Sequence, residues 1–295
     1  MRVNPNPYPD LIAAAAQTQL QIQIDEQQIS SGRSVNVPSD NPAAAATLVQ
    51  NADQSSQADQ FQRSIGSIQG EIQNADSALS SVVTAIQEAI NLGVEGANGT
   101  VNSSDRAAIL TQVQGIQAQL LSLANLSYQG NYVFGGTATQ TPPFVVDASS
   151  ASGVTYQGTT GANNVTLGSQ FSLQTNLPGS QIFTGSSGNV FQSIQDLIVG
   201  LQSGAGITTA VTELGSALNY VGSQRVFYGN ALNQLTAQQT FLSSQTTQLA
   251  QQQNTVGGAN IPAVISNLTT EQTSLQATLQ SVALTAHTNL FDYLK

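Results

Sequence analysis

Residues 61–93 read FQRSIGSIQGEIQNADSALSSVVTAIQEAINLG, and this stretch decides the fold. Apolar or small residues recur in it at alternating steps of four and three, which is the heptad pattern of a coiled-coil helix. A helix over about residues 43–95 is roughly 80 Å long at 1.5 Å per residue. The stretch therefore predicts a long rod helix, a shape that a compact globule does not need. The repeat positions are Phe61, Ile65, Ile68, Ile72, Ala75, Leu79, Val82, Ile86, Ala89 and Gly93.

A second and a third rod helix follow the same step pattern. Residues 96–100 contain two glycines and break the first helix, and Ser103 or Ser104 is the predicted N-cap of the next. The short connection predicts that these two helices are antiparallel neighbours. The third helix spans about residues 208–254, and its repeat includes three polar positions, so its packing is expected to be looser. Beyond the first helix, the predicted rod core comprises Ile109, Val113, Ile116, Leu120, Leu218, Leu232 and Leu235.

The two ends of the chain carry a further helical pattern of similar length. The first end helix is predicted over residues 11–31, with Asp10 as N-cap and Gly32 as the stop. Asp40 or Asn41 is expected to cap the rod helix that follows, with a proline in its first turn. The other end helix is predicted over residues 261–294. The residues assigned to assembly with other subunits are Leu11, Ile22, Ile29, Leu275, Leu279, Val282, Leu290 and Leu294, while Leu20 and Ile24 widen the apolar face of the first helix.

The segment between the helical halves has a different composition. Glycine, threonine, serine and valine dominate from about residue 130 to 188, and runs such as Val154-Thr155-Tyr156 and Val165-Thr166-Leu167 predict short strands. The fold class is therefore mainly α, an elongated rod of long antiparallel coiled-coil helices with a small inserted β domain. The predicted domains are residues 1–38 with 256–295, residues 39–138 with 190–255, and residues 139–189.

Charge and composition exclude several classes of function. Charged residues make up 7% of the chain, against about a quarter in ordinary soluble proteins, and the net charge is −10. The six basic residues are scattered, so neither nucleic acid nor an anionic membrane surface is an expected partner. No cysteine is present. We expect no secretory signal peptide, because no apolar run of suitable length follows the N-terminus.

No constellation in the sequence favours catalysis or a cofactor. The single histidine, His287, is expected on a helix surface or at an interface and not as the base of a Ser–His–Asp triad. The pairs Gly135-Gly136 and Gly257-Gly258 lack the context of a phosphate-binding loop and are predicted turns. Asp25 and Glu26 are neighbours on a helix, where adjacent side chains point in different directions, and are expected on a solvated face. We therefore expect no enzyme and no cofactor or metal.

Four stretches resemble the bacterial flagellin family. The segment Ser31-Gly32-Arg33-Ser34-Val35-Asn36-Val37-Pro38-Ser39-Asp40-Asn41-Pro42-Ala43 is similar to its N-terminal signature. Residues 97–106 (ANGTVNSSDR) are similar to the turn between its first rod helices. Residues 130–137 (GNYVFGGT), followed by TPPF at 141–144, and the ending NLFDYL at 289–294 resemble the members that join hook to filament. The resemblance covers roughly residues 1–145 and 205–295.

The resemblance implies a structural role. It implies a flagellar subunit in the junction ring between hook and filament, exported unfolded without a cleaved signal and assembled through its terminal helices outside the cell. The implied partners are copies of itself, a neighbouring hook-associated protein, flagellin or a related junction protein on the filament side, and an export chaperone. The alternatives are a main filament subunit or a coiled-coil adhesin. A catalytic insertion has little support, since residues 140–190 contain no histidine and one acid, Asp147.

Overall fold

A computed structural model of the chain describes residues 8–168 and 171–287. Helices dominate this part of the chain, which confirms the predicted mainly α class. Seven helices are present within it. They are α1 (Tyr8–Ser31), α2 (Pro42–Gly96), α3 (Ser103–Ala124), α4 (Gly179–Phe183), α5 (Val190–Ser203), α6 (Ile207–Gly257) and α7 (Ile261–His287).

The strands are short and are paired two by two. Four antiparallel hairpins are formed, β1 with β2, β3 with β4, β5 with β6, and β7 with β8. Among the described residues each of these strands pairs with its neighbour in sequence, and an isolated bridge joins Arg33 to Gly258. The strands are β1 (Ser127–Tyr128), β2 (Asn131–Tyr132), β3 (Phe144–Val146), β4 (Val154–Tyr156), β5 (Asn164–Thr166), β6 (Ser172–Gln174), β7 (Thr184–Gly185) and β8 (Gly188–Asn189).

The chain divides into two compact units. The end unit is formed by the two ends of the chain, up to Gln57 and from Ser244 onward, and the middle unit is formed by Ala58–Ser243. Helices α2 and α6 each contribute residues to both units. The three-part domain scheme drawn from the sequence stays a prediction.

Helix α2 has the extent that the heptad pattern predicts. Asn41 is its N-cap, because the Asn41 side-chain oxygen accepts a hydrogen bond from the Ala44 N–H at 3.1 Å, and Pro42 occupies the first helical position. The helix ends at Gly96, inside the predicted glycine-rich break. The repeat positions from Ile65 to Ala89 are all buried, while Phe61 is partly buried against the same core.

Within the middle unit, α2 packs antiparallel to α3 and to α6. Towards its end, the helix approaches the beginning of both partners, since a side chain at Gly96 would meet Ile109 and one at Gly93 would meet Val211. Further back on α2, Asp76 accepts two hydrogen bonds from Arg225 of α6, at 2.9 and 3.1 Å. A side chain at Gly70, further back on α2, would meet Tyr128, which follows the end of α3, so the predicted antiparallel arrangement of the first two rod helices is confirmed.

The cap of α3 differs from the prediction. Asn102, and neither Ser103 nor Ser104, is the N-cap, because its side-chain oxygen accepts from the N–H groups of Ser104 and Asp105 at 2.8 and 3.0 Å. The Asn102 amide also donates to the Asp105 carboxylate at 2.7 Å. Asparagine and serine are both strong capping residues, so composition alone did not separate neighbouring candidates.

The β-rich segment does not stand apart from the helices of the middle unit. Its buried side chains belong to the same hydrophobic cluster as those of α2, α3, α5 and α6. The predicted strands at Val154–Tyr156 and around Val165 are present, as β4 and β5. From β3 to α4 the segment contributes Phe144, Val154, Leu167, Leu173, Leu177, Ile182 and Phe183 to this core.

Candidate assembly surface

Helices α1 and α7 pack against each other in the end unit. Helix α1 begins at Tyr8, so Asp10 lies in its first turn and is not its N-cap. It ends as predicted at Gly32, which has a φ of +69° and whose N–H donates to the Gln28 carbonyl at 2.8 Å. The two end helices therefore form a defined pair in the isolated subunit.

The residues predicted to mediate assembly lie at different depths in this pair. Ile22 is buried in the isolated chain, and Leu11, Ile29, Leu275 and Val282 are partly buried. Leu279 is 53% exposed. Leu290 and Leu294 lie outside the described residues. The predicted set thus includes residues that hold α1 to α7, and the assembly role of the whole set stays a prediction.

A second apolar set on the same two helices is exposed. Leu20 and Ile24 lie on one face of α1, because four residues correspond to about one helical turn, and Ile12 lies about 80° around the helix from Leu20. Leu20 is 60% exposed and Leu284 of α7 is 72% exposed. The sequence predicts that Leu20 and Ile24 widen the apolar face of α1, and both side chains are exposed in the structure. The term exposed apolar face is used below for the exposed large apolar side chains in the described part of these two helices, which are Ile12, Leu20, Ile24, Ile265, Leu279 and Leu284.

Covering this face would release substantial free energy. Full burial of one aliphatic side chain contributes about 1.5–3 kcal/mol, so covering the exposed part of six such chains contributes on the order of 5 kcal/mol. Little charge opposes the covering, since the acidic residues of α1 and α7 are Asp10, Asp25, Glu26 and Glu271, and neither helix contains lysine or arginine. Interfaces of this composition desolvate at low cost.

One acidic pair on these helices differs from its neighbours. Asp25 is 4% exposed, whereas the adjacent Glu26 is exposed, so the expected solvated face for both is wrong for Asp25. The Gln21 amide donates to the Asp25 Oδ1 at 3.3 Å, and the buried Asp25 Oδ2 and Glu271 Oε2 have no hydrogen-bond partner. Burial, together with the charge of Asp25, raises the pKa of the Glu271 carboxyl.

The connector that follows α1 (residues 32–41) is held by backbone hydrogen bonds. The Ser34 N–H donates to the Gly257 carbonyl at 2.8 Å, and the Ala259 N–H donates to the Gly32 carbonyl at 3.0 Å. The Asp40 carboxylate accepts from the N–H groups of Val37 and Asn36, both at 2.9 Å, and these two bonds lower the pKa of Asp40. The Gly257-Gly258 turn and the connector therefore fix where α1 ends and where α7 begins.

The predicted rod core is found in the middle unit. Most of its members are buried and three are partly buried, all within one hydrophobic cluster. Leu123 of α3 is partly buried, and Ala124 takes the buried position at the end of that helix. The buried members are Ile65, Ile68, Ile72, Leu79, Val82, Ile86, Ile109, Val113, Ile116, Leu120 and Leu235, and the partly buried members are Phe61, Leu218 and Leu232.

The stretch at residues 130–137 serves the core of the middle unit. Gln129 and Gly130 both have positive φ values, 50° and 85°, and form the tight turn of the β1–β2 hairpin. Phe134 is fully buried, and its carbonyl accepts from the Gly179 N–H at 2.8 Å and the Tyr156 hydroxyl at 3.1 Å. The GNYVFGGT stretch therefore links the β1–β2 hairpin to α4 through the Phe134 carbonyl.

The following TPPF stretch ends in an aromatic cluster. Phe144 is contacted by the rings of Tyr156, Phe183 and Phe191, at centroid distances of 5.0–5.4 Å. The Asn125 side chain, at the end of α3, binds both backbone groups of Phe144, accepting from its N–H at 2.9 Å and donating to its carbonyl at 2.8 Å. Asn125, which follows α3, thus fixes the backbone at the start of β3.

Within residues 8–168 and 171–287, no group of three or more His, Cys, Asp and Glu side chains is arranged to hold a metal ion. The His287 side chain lies outside the described part. None of the helices in that part combines the length and the hydropathy that a membrane-spanning helix requires.

Comparison with known proteins gives matches over both sequence and fold. Residues 8–139 match the bacterial flagellin N-terminal helical region. Flagellar hook-associated protein 3 of Escherichia coli (strain K12) is 39% identical over 119 residues, which is 40% of this chain and 38% of that protein. The protein of the same name from Salmonella typhimurium is 38% identical over the same shares. The chain thus matches less than half the length of these relatives.

Solved structures share the fold at low sequence identity. The flagellar junction protein FlgL of Legionella pneumophila superposes with a TM-score of 0.62 at 13% identity, over 72% of this chain and 100% of that one. FlgL of Bacillus cereus gives a TM-score of 0.60 at 22% identity, over 70% of this chain and 99% of that one.

The matched region and the fold show what the chain is similar to. Residues 8–139 match the flagellin N-terminal helical region, and the helical fold is shared with the solved FlgL structures. The relatives that match over sequence are both named flagellar hook-associated protein 3, so this is the protein that the chain resembles over the matched part.

Proposed function

We propose that the chain is a structural subunit of the bacterial flagellum that forms the junction ring between hook and filament. The observation that carries the proposal is the exposed apolar face on α1 and α7, which lies on two helices without basic residues. Such a face is costly to leave in water and inexpensive to cover with a similar helix. The names of the sequence relatives and the FlgL fold support the place in the flagellum.

The partners follow from this role. Copies of the chain would cover the exposed apolar face laterally, with a hook-associated protein on the hook side and flagellin or a related junction protein on the filament side. The subunit would act outside the cell, after unfolded export with the help of a chaperone and without a cleaved signal. A main filament subunit is less well supported, since both sequence relatives carry the hook-associated name. The role is structural and not enzymatic.

Labelling of intact flagella tests the proposal. Antibody raised against residues 139–189, detected with gold in the electron microscope, is expected to label one band at the boundary between hook and filament. Flagella of a strain that lacks the gene provide the control for specificity. Label along the whole filament would show a filament subunit, and absence of label from flagella would overturn the flagellar role.

A further inference from the structure

The turn between α2 and α3 contains the one Asn-Gly pair of the sequence, Asn98-Gly99. Both residues are exposed, and a side chain added at Gly99 would meet nothing within 4 Å. An asparagine followed by glycine is chemically labile, because the next backbone nitrogen can attack the side-chain amide carbon and glycine has no side chain to hinder the approach. The turn therefore has the sequence and the open surroundings that this reaction needs.

Hydrogen bonds hold the Asn98 side chain in a position that favours this attack. Its Oδ1 accepts from the Thr100 N–H at 3.2 Å and from the Thr100 hydroxyl at 3.0 Å. A side-chain oxygen that is bound two residues ahead folds the side chain back along the intervening peptide bond, which brings the amide carbon towards the Gly99 nitrogen. The two donors also polarise the side-chain carbonyl, and they would stabilise the negative oxygen that forms during the attack.

The two nitrogens that react are free to do so. Among the residues that the structure describes, neither the Gly99 N–H nor the Asn98 side-chain NH2 has a hydrogen-bond partner. Asn102 in the same turn is the opposite case, because its amide nitrogen donates to the Asp105 carboxylate at 2.7 Å and its oxygen caps α3. The residue after Asn102 is a serine, whose side chain hinders attack. Asn102 is therefore an internal comparison for Asn98.

We propose that Asn98 is a site of spontaneous deamidation. The Gly99 nitrogen gives its proton to water or hydroxide and forms a bond to the Asn98 Cγ. The bond between Cγ and the side-chain nitrogen breaks, and this nitrogen takes up a proton from water and leaves as ammonia. Water then opens the cyclic imide at either of its two carbonyl carbons, which gives aspartate or isoaspartate. The net reaction consumes water and releases ammonia, and it needs no enzyme or oxidant.

Either product changes the turn. A carboxylate at position 98 places a negative charge just after the C-terminal end of α2, where the helix dipole is also negative and where Glu95 lies in the last turn. Isoaspartate in addition lengthens the main chain by one carbon, which disrupts the hydrogen bond from the Val101 N–H to the Asn98 carbonyl, 3.0 Å long in the intact chain. Deamidation therefore loosens the connection between the first two rod helices.

Mass spectrometry of the full chain tests the proposal. The purified protein would be incubated in mildly alkaline buffer at physiological temperature, and each asparagine would be followed over time by proteolysis and tandem mass spectrometry. Asn98 is expected to be converted first and to give both aspartate and isoaspartate, while Asn102, in the same tryptic peptide, stays intact. Conversion of other asparagines before Asn98, or of Asn98 to aspartate alone, would overturn the proposal.

Variants separate this mechanism from general ageing of the chain. Gly99→Ala adds a methyl group in open space, so the helical circular dichroism should be unchanged while most of the conversion at Asn98 is lost. Thr100→Ala removes the hydroxyl donor and should slow the conversion about two- to tenfold, the contribution of one hydrogen bond. Thr111→Ala, at an exposed position of α3, is the control and should keep the wild-type rate. Undiminished conversion in either of the first two variants would contradict the mechanism.

This proposal does not rest on a place in the flagellum. A subunit that labels the whole filament would still be deamidated at Asn98, and a junction subunit with an unreactive Asn98 would still label the junction. The failure of one proposal is therefore distinguishable from the failure of the other.

Discussion

At the residue scale, Asn102 decides where α3 begins. Its side chain accepts from two N–H groups in the first turn, while Ser103 is already the first helical residue. Loss of an N-cap side chain costs about 0.5–2 kcal/mol.

Replacing this cap gives a direct test. Asn102→Ala is expected to lower the free energy of unfolding by about 1 kcal/mol, measured by urea denaturation followed by circular dichroism. Ser103→Ala is the matched control and should change it by less than about 0.5 kcal/mol. A larger loss of stability for Ser103→Ala than for Asn102→Ala would show that Ser103 is the N-cap, as the sequence predicts.

Phe144 is the second residue that decides local structure, because it is surrounded by three aromatic rings and held by Asn125. Phe144→Ala removes a fully enclosed ring and is expected to cost about 3–5 kcal/mol in the same denaturation experiment. Val145→Ala, one residue further on the same strand, alters a side chain that is partly in solvent and should cost less than about 1 kcal/mol. Similar losses for both would show that the aromatic cluster contributes little.

Asp25 shows what a residue pattern does not reveal. The adjacent acids Asp25 and Glu26 have the same chemistry in sequence, yet one is buried and the other exposed. Which of them faces α7 depends on the rotation of α1 about its axis. Packing around Ile22 sets that rotation in the structure. The weak apolar periodicity of α1 does not reveal it in the sequence.

At the element scale, the heptad pattern predicted the long helices well. Steps of four and three carry Ile65 to Ala89 along one face of α2, and this regular spacing identifies the buried face before any partner is known. The packing of the β-rich segment was harder to predict. A short strand has the same alternation of apolar and polar residues whether it packs on other strands or on helices. Phe144 and Leu173 join the helical core, a contact between residues distant in sequence that no local pattern contains.

The exposed apolar face makes a prediction about assembly. The double variant Leu20→Gln, Ile24→Gln keeps good helix formers on a solvent-facing surface, so its free energy of unfolding should remain within about 0.5 kcal/mol of wild type. Incorporation into flagella, and hence swimming of a strain that depends on the variant, should be lost. Gln19→Ala, at an exposed position roughly 100° or more around α1 from Leu20 and Ile24, is the control. Normal swimming with the double variant would remove this face from the assembly surface.

At the scale of the whole molecule, the chain consists of two compact units that share two long helices. The middle unit contains the large aromatic cluster and the buried faces of α2, α3 and α6. Its stability is therefore expected to depend little on α1 and α7.

A shortened chain of residues 42–260, which lacks α1 and α7, tests this expectation. Its main thermal transition, followed by circular dichroism at the helix minimum, should lie within about 4 °C of the full chain, a shift that corresponds to roughly 1–2 kcal/mol for a domain of this size. The shortened chain should also fail to enter flagella. A transition lowered by a much larger amount would show that the end helices stabilise the middle unit.

The pairing of each strand with its sequence neighbour has a kinetic consequence. A hairpin closes over a short loop, and such events take microseconds, whereas pairing of distant strands waits for the chain to collapse. The ladders of the β-rich part therefore close locally, and each can form from an extended chain as soon as its own few residues are free. The proposed unfolded export would require the chain to fold afterwards, and ladders that close locally suit that requirement.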